Sequence, residues 1–438
     1  MSKNDLMEMN RMLDERRGRL DRIWKHWRGD APASFLSKKS RESLDGRLSR
    51  LSVNIPRLVV NSKVDRLHIS GVTSRAEGTS EQTLWRLWEL AGMTSTAEQL
   101  HTDWYLFGSA AVLVWPDENR IPRPLALSPL DAVVDTDPAT GRPLRAMRRW
   151  QSQGRSHALV ITEDAITRYT SPSPSFTPSA GSWEVQQRDE HYLGTVPAVP
   201  FVRRQSSTDI EGTSAVDDIL DLTEALVKVL ADALVTSEHY ARPRRWATGL
   251  EIREDEQGRP VDPFGDSRLL QSEDPATRFG QFDSVRLDGY TDLTATITQQ
   301  IGSLTGLPPH YLGLHGDQPA SADGVRAAEA QLASAAYSDQ RVLDAPWSRV
   351  LQLMAAVTND GIDPTGEDYR AVWGSPEIRT PAQQSDAALK LRDMGVPLET
   401  VLVEVMGYAP EQARRIAEAS RSEQIVTAAA RGGVGRLA

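Results

Sequence analysis

The sequence predicts an α+β protein in which a β-rich segment lies between helical regions. Three observations lead to this prediction. Apolar residues recur at helical spacing near the N-terminus and again from Gly212 onward. Between Ser109 and about residue 170 they instead form short apolar runs separated by Pro-Gly turns. Residues 382–422 return to short helical patterns, broken at Gly395-Val-Pro and Gly407-Tyr-Ala-Pro.

Composition limits the function classes. The chain has 438 residues, enough for two or three domains, and 50 Lys+Arg against 60 Asp+Glu give a net charge of −10. A general nucleic-acid binder has the opposite sign, and an acidic surface repels DNA phosphates. The lack of cysteine excludes disulfides, zinc-cysteine sites and thiol nucleophiles, and it suits a reducing compartment. We expect no signal peptide and no membrane span, since no run of about 18 apolar residues occurs.

The N-terminal half is predicted as helices followed by strands. Residues 1–50 form a charged, amphipathic helical segment, in which Leu6, Met9, Leu13 and Leu20 share one face. A second helix is interrupted near Pro56 and ends before Gly71, and a third covers residues 79–108. Strands follow from Ser109, and "LGTVPAVPFVRR" is an extended edge segment because each proline removes a ladder donor.

The C-terminal half returns to long helices. A helix covers 213–241, and residues 242–287 form a small β/loop insertion rich in Pro and Gly. A helix at about 289–305 presents Leu293, Ile297, Ile301 and Leu304 on one face. After a loop, a long helix extends to Val357, and Pro346 should kink it. A strand and turn at 368–381 lead to the short helices, and the tail "AAARGGVGRLA" is predicted to be frayed.

No motif of a known catalytic type occurs. The sequence lacks GxxxxGK[ST], HExxH and GxSxG, and its eight histidines are scattered. His310 and His315 share one loop but are five residues apart, so a surface or packing role is favoured over a ligand role. We therefore expect no catalytic residue, no cofactor and no bound metal.

One helix carries an acidic stripe. Asp217, Asp221 and Glu224 follow i, i+4, i+7 spacing, and Lys228 and Asp232 continue the stripe. A solvated face is the most favoured interpretation, and a metal or catalytic cluster is the least favoured. The third interpretation is an acidic wall that faces something negatively charged and must not bind it.

Two further segments are candidates for function. Arg242, Arg244, Arg245 and Trp246 form a compact basic and aromatic cluster at a helix C-terminus, where cations are favoured in any case, so a structural role and a partner or nucleic-acid contact remain equally open. The loop "LPPHYLGLHGDQPASAD" joins two helices, and loops of about 15 residues are usually functional or disordered.

The order of these elements resembles the portal protein of tailed bacteriophages, of the siphophage type common in phages of actinobacteria. The resemblance is carried by several stretches in the same order rather than by one diagnostic motif. They are "NIPRLVVNSKVDRLHISGV", "YLFGSAAVLVWPD" with "PLALSPLDAVVDTDPATGRP", "LGTVPAVPFVRR", the helix at 213–241, "TGLPPHYLGLHGDQPASADGVRAAEAQL" and "RAVWGSPEIRTPAQQSDAALKLRDMGVP".

The resemblance implies a portal fold with an α/β wing, a two-helix stem, a small β/loop clip, a long kinked helix and a helical crown. The implied segments follow the N-terminal helical segment 1–50: wing 51–212, stem helices 213–241 and 288–306, clip 242–287, tunnel loop 307–323, long helix 324–358, wing return strand 359–381, crown and tail 382–438.

The same resemblance assigns expected roles to residues. The DNA-facing part of the tunnel loop would be Leu312, Gly313, Leu314, His315, Gly316, Asp317 and Gln318. The channel lining would include Asp217, Asp221, Glu224, Lys228 and Asp232, although the sequence does not decide which face of the stem helix lines the channel. Docking of terminase or an adaptor would involve Arg242, Arg244, Arg245 and Trp246.

The implied function is a homo-oligomeric ring, usually of twelve subunits, at one capsid vertex of the virion, assembled in the host cytoplasm. Its implied partners are the major capsid protein, the large terminase subunit, a head-completion or adaptor protein, and double-stranded DNA that passes without sequence specificity. Two alternatives remain open at this point: another phage head or connector protein, and, less favoured, a metal-dependent enzyme that uses the acidic helix face.

Overall fold

A computed structural model describes residues 3–30, 51–74, 80–173, 182–240, 245–249, 257, 275–281, 287–314, 322–359, 362–366, 368–377, 381–408 and 410–434. The chain divides into two compact units. The first comprises Met1–Ala31, Asn54–Leu220 and Gly302–Ala438, and the second comprises Pro32–Val53 and Asp221–Ile301. Helices and strands occur together in both, as the predicted α+β class requires.

In the part of the first unit that precedes α5 in the sequence, most elements are strands. The helices are α1 (Lys3–Arg28), α2 (Ile55–Val64), α3 (Glu81–Leu90) and α4 (Met93–Phe107). The strands are β1 (Ile69–Ser74), β2 (Ser109–Pro116), β3 (Pro122–Leu127), β4 (Ala132–Thr136), β5 (Pro143–Ser152), β6 (Arg155–Ile161), β7 (Ala165–Ser171), β8 (Glu184–Glu190) and β9 (Ala198–Val202).

The remaining elements are mostly helices. They are a 3₁₀ turn (Asp217–Ile219), α5 (Leu220–Tyr240), β10 (Arg245–Thr248), β11 (Arg278–Gln281), α6 (Asp288–Thr305), a second 3₁₀ turn (Pro309–Leu312), α7 (Ala322–Thr358), β12 (Tyr369–Trp373), α8 (Pro381–Asp393), α9 (Leu398–Glu404) and α10 (Pro410–Val434).

The strands of the first unit form antiparallel sheets. One has the order β3-β2-β9, a second has the order β4-β5-β6-β7-β8, and β1 pairs with β12 from the far end of the sequence. Strand β2 is central to its sheet and is an almost continuous buried run, whereas every residue of the edge strand β8 is exposed. A charged, exposed edge such as "EVQQRDE" disfavours pairing with another chain.

Helix α1 covers one face of the five-stranded sheet. The predicted apolar face of this helix is confirmed, since Leu6, Met9, Leu13 and Leu20 are each at most 1% exposed. The first three of these pack with Met147 and Tyr169 of the sheet and with Trp183, which precedes β8. Two arginines of β5 fix the helix further: Arg149 donates to Asn10 and Asp14, and Arg145 pairs with Asp5 and Glu8.

A second core lies where α4 and α7 pack on the three-stranded sheet. Trp88, Trp104 and Trp347 are each at most 1% exposed. The indole N–H of Trp347 donates to Nε2 of His101 at 3.0 Å, so this imidazole is buried among aromatic rings and accepts a hydrogen bond. Aromatic groups thus supply most of the bulk between α4, α7 and the sheet.

Two expectations from the sequence are wrong in detail, and a third lies partly outside the described residues. Pro56 lies in the first turn of α2, where its missing N–H costs nothing, and the helical pattern predicted before residue 51 is outside the described ranges. The segment 69–74 is strand β1, because it pairs with β12 about 300 residues later, beyond the reach of local patterns. Residues 79–108 form two helices, because Gly92 adopts a left-handed conformation (φ 66°) between them.

The predicted elements of the later chain are largely confirmed. Helix α7 extends from Ala322 to Thr358 with Pro346 inside it. The C-terminal region contains three helices, α8 to α10, in which Arg414 of α10 pairs with Glu399 of α9. Helix α10 continues to Val434, inside the segment predicted to be frayed, and residues 435–438 lie outside the described residues.

The second unit contains most of α5 and α6 and a small β-ribbon. Strands β10 and β11 pair antiparallel, so the predicted β character of 242–287 is confirmed for the described residues. The hydroxyl groups of Thr236 in α5 and Tyr290 in α6 lie 3.1 Å apart. On α6 the predicted apolar face is divided: Ile301 is fully buried, but Leu293 and Leu304 are 47% and 57% exposed.

Candidate functional site

The acidic stripe lies largely on the solvent side of α5. The helix buries Thr223, Leu226, Val229 and Ala231, whereas Asp221 and Lys228 are exposed. Glu224 is half-buried, and Lys228 forms an i, i+4 ion pair with Asp232. The stripe is therefore a charged surface, with one internal ion pair that reduces its negative charge.

The first residue of the predicted stripe is separate from the rest. Asp217 lies in the 3₁₀ turn that precedes α5, and its carboxylate accepts from Arg19 of α1 at 3.2 Å. The tighter turn breaks the α-helical spacing on which the grouping depended. Asp217 thus belongs to the first unit, while Asp221, Glu224, Lys228 and Asp232 belong to the second.

The basic and aromatic cluster is only partly within the described residues. Arg245 and Trp246 open strand β10, with their Cα atoms opposite those of Gln281 and Gly280. Arg242 and Arg244 lie outside the described residues. The structure therefore gives backbone positions for two of the four predicted residues, at the start of a two-stranded ribbon.

The loop between α6 and α7 has an ordered first flank. Pro309–Leu312 form a 3₁₀ turn that Gly313 ends in a left-handed conformation (φ 71°). The N–H groups of Tyr311, Gly313 and Leu314 donate to Pro308, His310 and Pro309 respectively. Leu312 packs back on the end of α6, where a Cβ added to Gly302 would lie 2.9 Å from its Cδ1 atom. Of the predicted tunnel-loop residues, His315, Gly316, Asp317 and Gln318 lie outside the described residues.

A buried polar cluster, which the sequence did not predict, holds the flanks of this loop. Arg66, from the turn after α2, donates to the Tyr311 hydroxyl at 3.0 Å and to the Pro376 carbonyl at 2.8 Å. It also pairs with Glu329 of α7 at 3.4 Å. These groups are up to 310 residues apart along the chain, so no local pattern could have indicated them.

Of the two loop histidines, one lies within the described residues. His310 lies 3.6 Å from the carboxylate of Glu329, and His315 is not among those residues. Within the same described ranges, no group of three or more His, Asp or Glu side chains is arranged to hold a metal ion.

The sequence matches the phage portal protein family of the SPP1 Gp6-like type over residues 9–425. That match begins inside α1 and ends inside α10, so it covers nearly the whole chain. The chain belongs to this portal protein family. The assignment agrees with the resemblance inferred from the order of its elements, and it decides for a portal over another head or connector protein.

Two mycobacteriophage proteins are similar to this portal chain. The portal protein of Mycobacterium phage D29 is 28% identical over 377 residues, covering 82% of this chain and 76% of that protein. The portal protein of Mycobacterium phage L5 is 27% identical over 379 residues, with the same coverage. Both relatives come from phages of actinobacterial hosts, and this is the phage group that the resemblance indicated.

Solved structures of gene transfer agent particles are also similar. A chain of the virion of the native particle has a TM-score of 0.44 at 12% identity, covering 83% of this chain and 91% of that chain. A chain of the native neck, computed with C12 symmetry, has a TM-score of 0.45 at 12% identity, covering 81% and 88%. The family assignment rests on the sequence match.

The family makes this portal chain a structural component of a virion. Among its described helices, none combines the length and apolar character needed to cross a bilayer.

Proposed function

We propose that this portal chain assembles into a closed ring of about twelve subunits at a single capsid vertex, and that double-stranded DNA enters and leaves the capsid through the ring. The observation that carries the proposal is the family match over residues 9–425. A closed ring requires one surface of each subunit to bind a different surface of its neighbour.

The proposed division of labour follows the two units. The wing comprises residues 51–212 and 359–381, the stem comprises 213–241 and 288–306, and the clip comprises 242–287. The long helix 324–358 and the crown 382–438 complete the subunit. A small ribbon between two helices suits a protruding clip, and helices of 21 and 18 residues suit a stem.

The acidic stripe supports a stem that does not hold DNA. Asp221, Glu224 and Asp232 outnumber Lys228 on the side of α5 opposite its buried residues. A net charge of −10 per chain becomes about −120 (12 × −10) in a ring of about twelve. This field repels phosphate, so DNA slides through a channel lined by this face and is not bound by it.

Exposed apolar side chains support ring contacts. Several lie on the stem helices and on α7. They are Leu234 (49% exposed), Leu293 (47%), Leu304 (57%), Tyr337 (38%) and Val342 (49%). Burial against a neighbouring subunit would remove this apolar surface from water.

The loop at 307–323 is proposed to contact the passing DNA. Its first flank is fixed by a 3₁₀ turn and by Arg66, which suits a projection with a rigid base. The cluster Arg242, Arg244, Arg245 and Trp246 is proposed as part of the surface that docks the terminase during packaging and a head-completion protein afterwards. The major capsid protein surrounds the ring at the vertex, and assembly takes place in the host cytoplasm.

The role is structural rather than enzymatic. A metal-dependent enzyme on the acidic face would need several carboxylates converging on one point. On α5 the carboxylates are instead spread along the helix, with Asp221 and Asp232 three turns apart. No observation favours this second function.

Labelled virions test the proposed location. A virion assembled with a chain carrying a gold-binding tag after Ala438 should show label at one vertex, in about twelve copies per particle by quantitative mass spectrometry. Label spread over the capsid surface, or copy numbers in the hundreds, would contradict a portal and indicate a shell protein.

A further inference from the structure

The guanidinium of Arg66 joins three separate segments of the first unit. Its NH2 atom donates to the hydroxyl of Tyr311, in the turn before the loop. The same NH2 atom lies 3.4 Å from Glu329, on α7 after the loop. Its NH1 atom donates to the Pro376 carbonyl, in the segment between β12 and α8. One side chain therefore contacts both flanks of the loop and the chain that leads to the C-terminal helices.

Because these groups are buried, their contacts tolerate little displacement. The side chains of Arg66 and Glu329 are only 6% and 12% exposed. A buried charge persists only where its hydrogen bonds and counter-charge are in place, so small displacements of any partner are resisted. Glu329 extends the cluster, since its other oxygen lies 3.6 Å from Nε2 of His310, beside Tyr311.

The third segment is itself fixed on its upstream side. The N–H of Gly374 donates to the carbonyl of His68, and Gln340 of α7 donates to the carbonyl of Gly374. The carbonyl of Pro376 comes two residues later, five residues before α8 begins at Pro381. Movement of α8 would therefore reach Arg66 through a short piece of chain.

A cleft separates α7 from α8 beside this cluster. Its volume is about 490 Å³, and Arg66, Glu329, Tyr337, Gln383 and Ala387 are among the residues that line it. Apolar packing does not fill the space between the two helices at this point. Arg66 lines this cleft and contacts both α7, through Glu329, and the segment after β12, through the carbonyl of Pro376.

We infer that Arg66 is a positioning residue that couples the turn at 309–314, which precedes the loop, to the segment 374–377, which follows β12. A displacement of Tyr311 or Glu329 alters the orientation of the Arg66 guanidinium. The reoriented guanidinium in turn alters the hydrogen bond to the carbonyl of Pro376. The coupling itself is a property of the folded subunit. Its use as a signal between passing DNA and the C-terminal helices rests on the proposed portal function.

Hydrogen exchange on the full-length chain tests the coupling. Tyr311→Phe removes one hydroxyl from Arg66 and should raise amide exchange of residues 308–314 by about 3- to 10-fold, the effect of one net hydrogen bond. Exchange in residues 374–393 should rise with it, because the guanidinium of Arg66 connects the Tyr311 hydroxyl to the carbonyl of Pro376. Tyr105→Phe is the matched control, because it also deletes a tyrosine hydroxyl that binds α7, through Asp339. It should leave both regions unchanged.

A second variant guards against a purely local effect. Arg66→Lys keeps the charge but cannot make three directed contacts, so it should raise exchange in both regions together. Exchange in 374–393 that stays at the wild-type rate in Tyr311→Phe and Arg66→Lys would overturn the coupling, as would equal changes in the Tyr105→Phe control. A joint rise in both variants supports it.

The DNA content of particles separates the coupling from the portal function. Particles built with Tyr311→Phe should assemble normally and retain less DNA. Wild-type DNA content together with a joint rise in exchange would leave the coupling in place and overturn its use in DNA passage.

Discussion

At the scale of single residues, two glycines fix the point where the chain leaves the first unit. Gly108 (φ 84°) and Gly212 (φ 88°) both adopt left-handed conformations, and their backbones touch. A Cβ on Gly212 would lie 2.0 Å from the carbonyl oxygen of Gly108. Ser214 follows and donates to the carbonyl of Leu106, so the entry to α5 is held by backbone contacts on which no side chain can intrude.

Gly212→Ala should therefore be strongly destabilising. The substitution combines an unfavourable φ with a backbone clash, and we expect it to lower the free energy of unfolding by about 3 kcal/mol or more. Gly154→Ala is the control, since Gly154 has a similar φ of 71° but open space around it. Its cost should be about 1–2 kcal/mol by urea unfolding. Equal costs for the two variants would show that φ alone, and not the close approach, requires glycine at 212.

Two neighbouring residues of α4 have pKa values shifted by burial in opposite senses. Burial lowers the pKa of His101 to about 3. Burial raises the pKa of Asp103 to about 7, despite a hydrogen bond with Ser128. Below pH 6.5 the unfolded chain protonates His101 while the folded chain does not, so that residue destabilises the fold as the pH falls. Asp103 acts oppositely, because between about pH 4 and 7 only the folded chain keeps its proton.

Asp103→Asn isolates the histidine contribution. The stabilisation that Asp103 provides at low pH is lost as the pH rises toward 7, so the variant should lose this opposing slope. Its free energy of unfolding should rise more steeply with pH than that of the wild type between pH 4.5 and 7, measured by urea unfolding. The exposed Asp189→Asn serves as the control. Parallel curves for wild type and Asp103→Asn would contradict a raised pKa at this position.

At the scale of elements, the sequence predicted those whose signals are local. Helix α1 was predictable because four of its buried residues, Leu6, Met9, Leu13 and Leu20, repeat at helical spacing within 15 residues of each other. Strand β1 was not, because "ISGVTS" is a strand only through pairing with β12. The residues of the candidate site also divide into those with a local signal in the sequence and those without one. The stripe on α5 follows from spacing along one helix, but Arg66, Tyr311, Glu329 and Pro376 meet only in the fold.

The stripe on α5 allows a charge-reversal test. Asp221→Lys with Asp232→Lys would turn a repelling surface into one that binds phosphate, so DNA should move through the ring more slowly. Little stability should be lost, since the exposed Lys228–Asp232 pair contributes at most about 1 kcal/mol. The measurement is DNA packaged per particle over time, and higher salt should reduce the defect.

The control for this test reverses the same number of charges elsewhere. Glu184→Lys with Glu190→Lys changes two exposed carboxylates at the ends of the edge strand β8. This variant should package DNA at the wild-type rate. If both variants are equally slow, net charge rather than the stripe controls passage, and the assignment of this face to the channel fails.

The loop allows a deletion test. Replacing Gly313–Ala320 by two glycines should leave the fold and the ring intact, because the flanks are held by the 3₁₀ turn and by Arg66. Packaging or retention of DNA should fall. Loss of the folded state, seen as a lowered melting temperature, would show instead that the segment is a packed connector.

At the scale of the whole molecule, two properties suit the proposed ring. The chain can contact other copies, and its acidic surface does not bind the DNA that the ring would surround. Its net charge of −10 opposes DNA, while exposed leucines on α6 and apolar side chains on α7 favour contact with other copies. These two properties would conflict in an ordinary DNA-binding protein. They are compatible in the proposed ring, where the apolar surfaces would meet between subunits and the acidic surface would face the channel.

The most direct test is a projection image of the purified assembly by negative-stain electron microscopy. The account predicts closed rings with a central channel wide enough for a DNA duplex. A protein that remains monomeric at high concentration, or that forms assemblies without a channel, would contradict it.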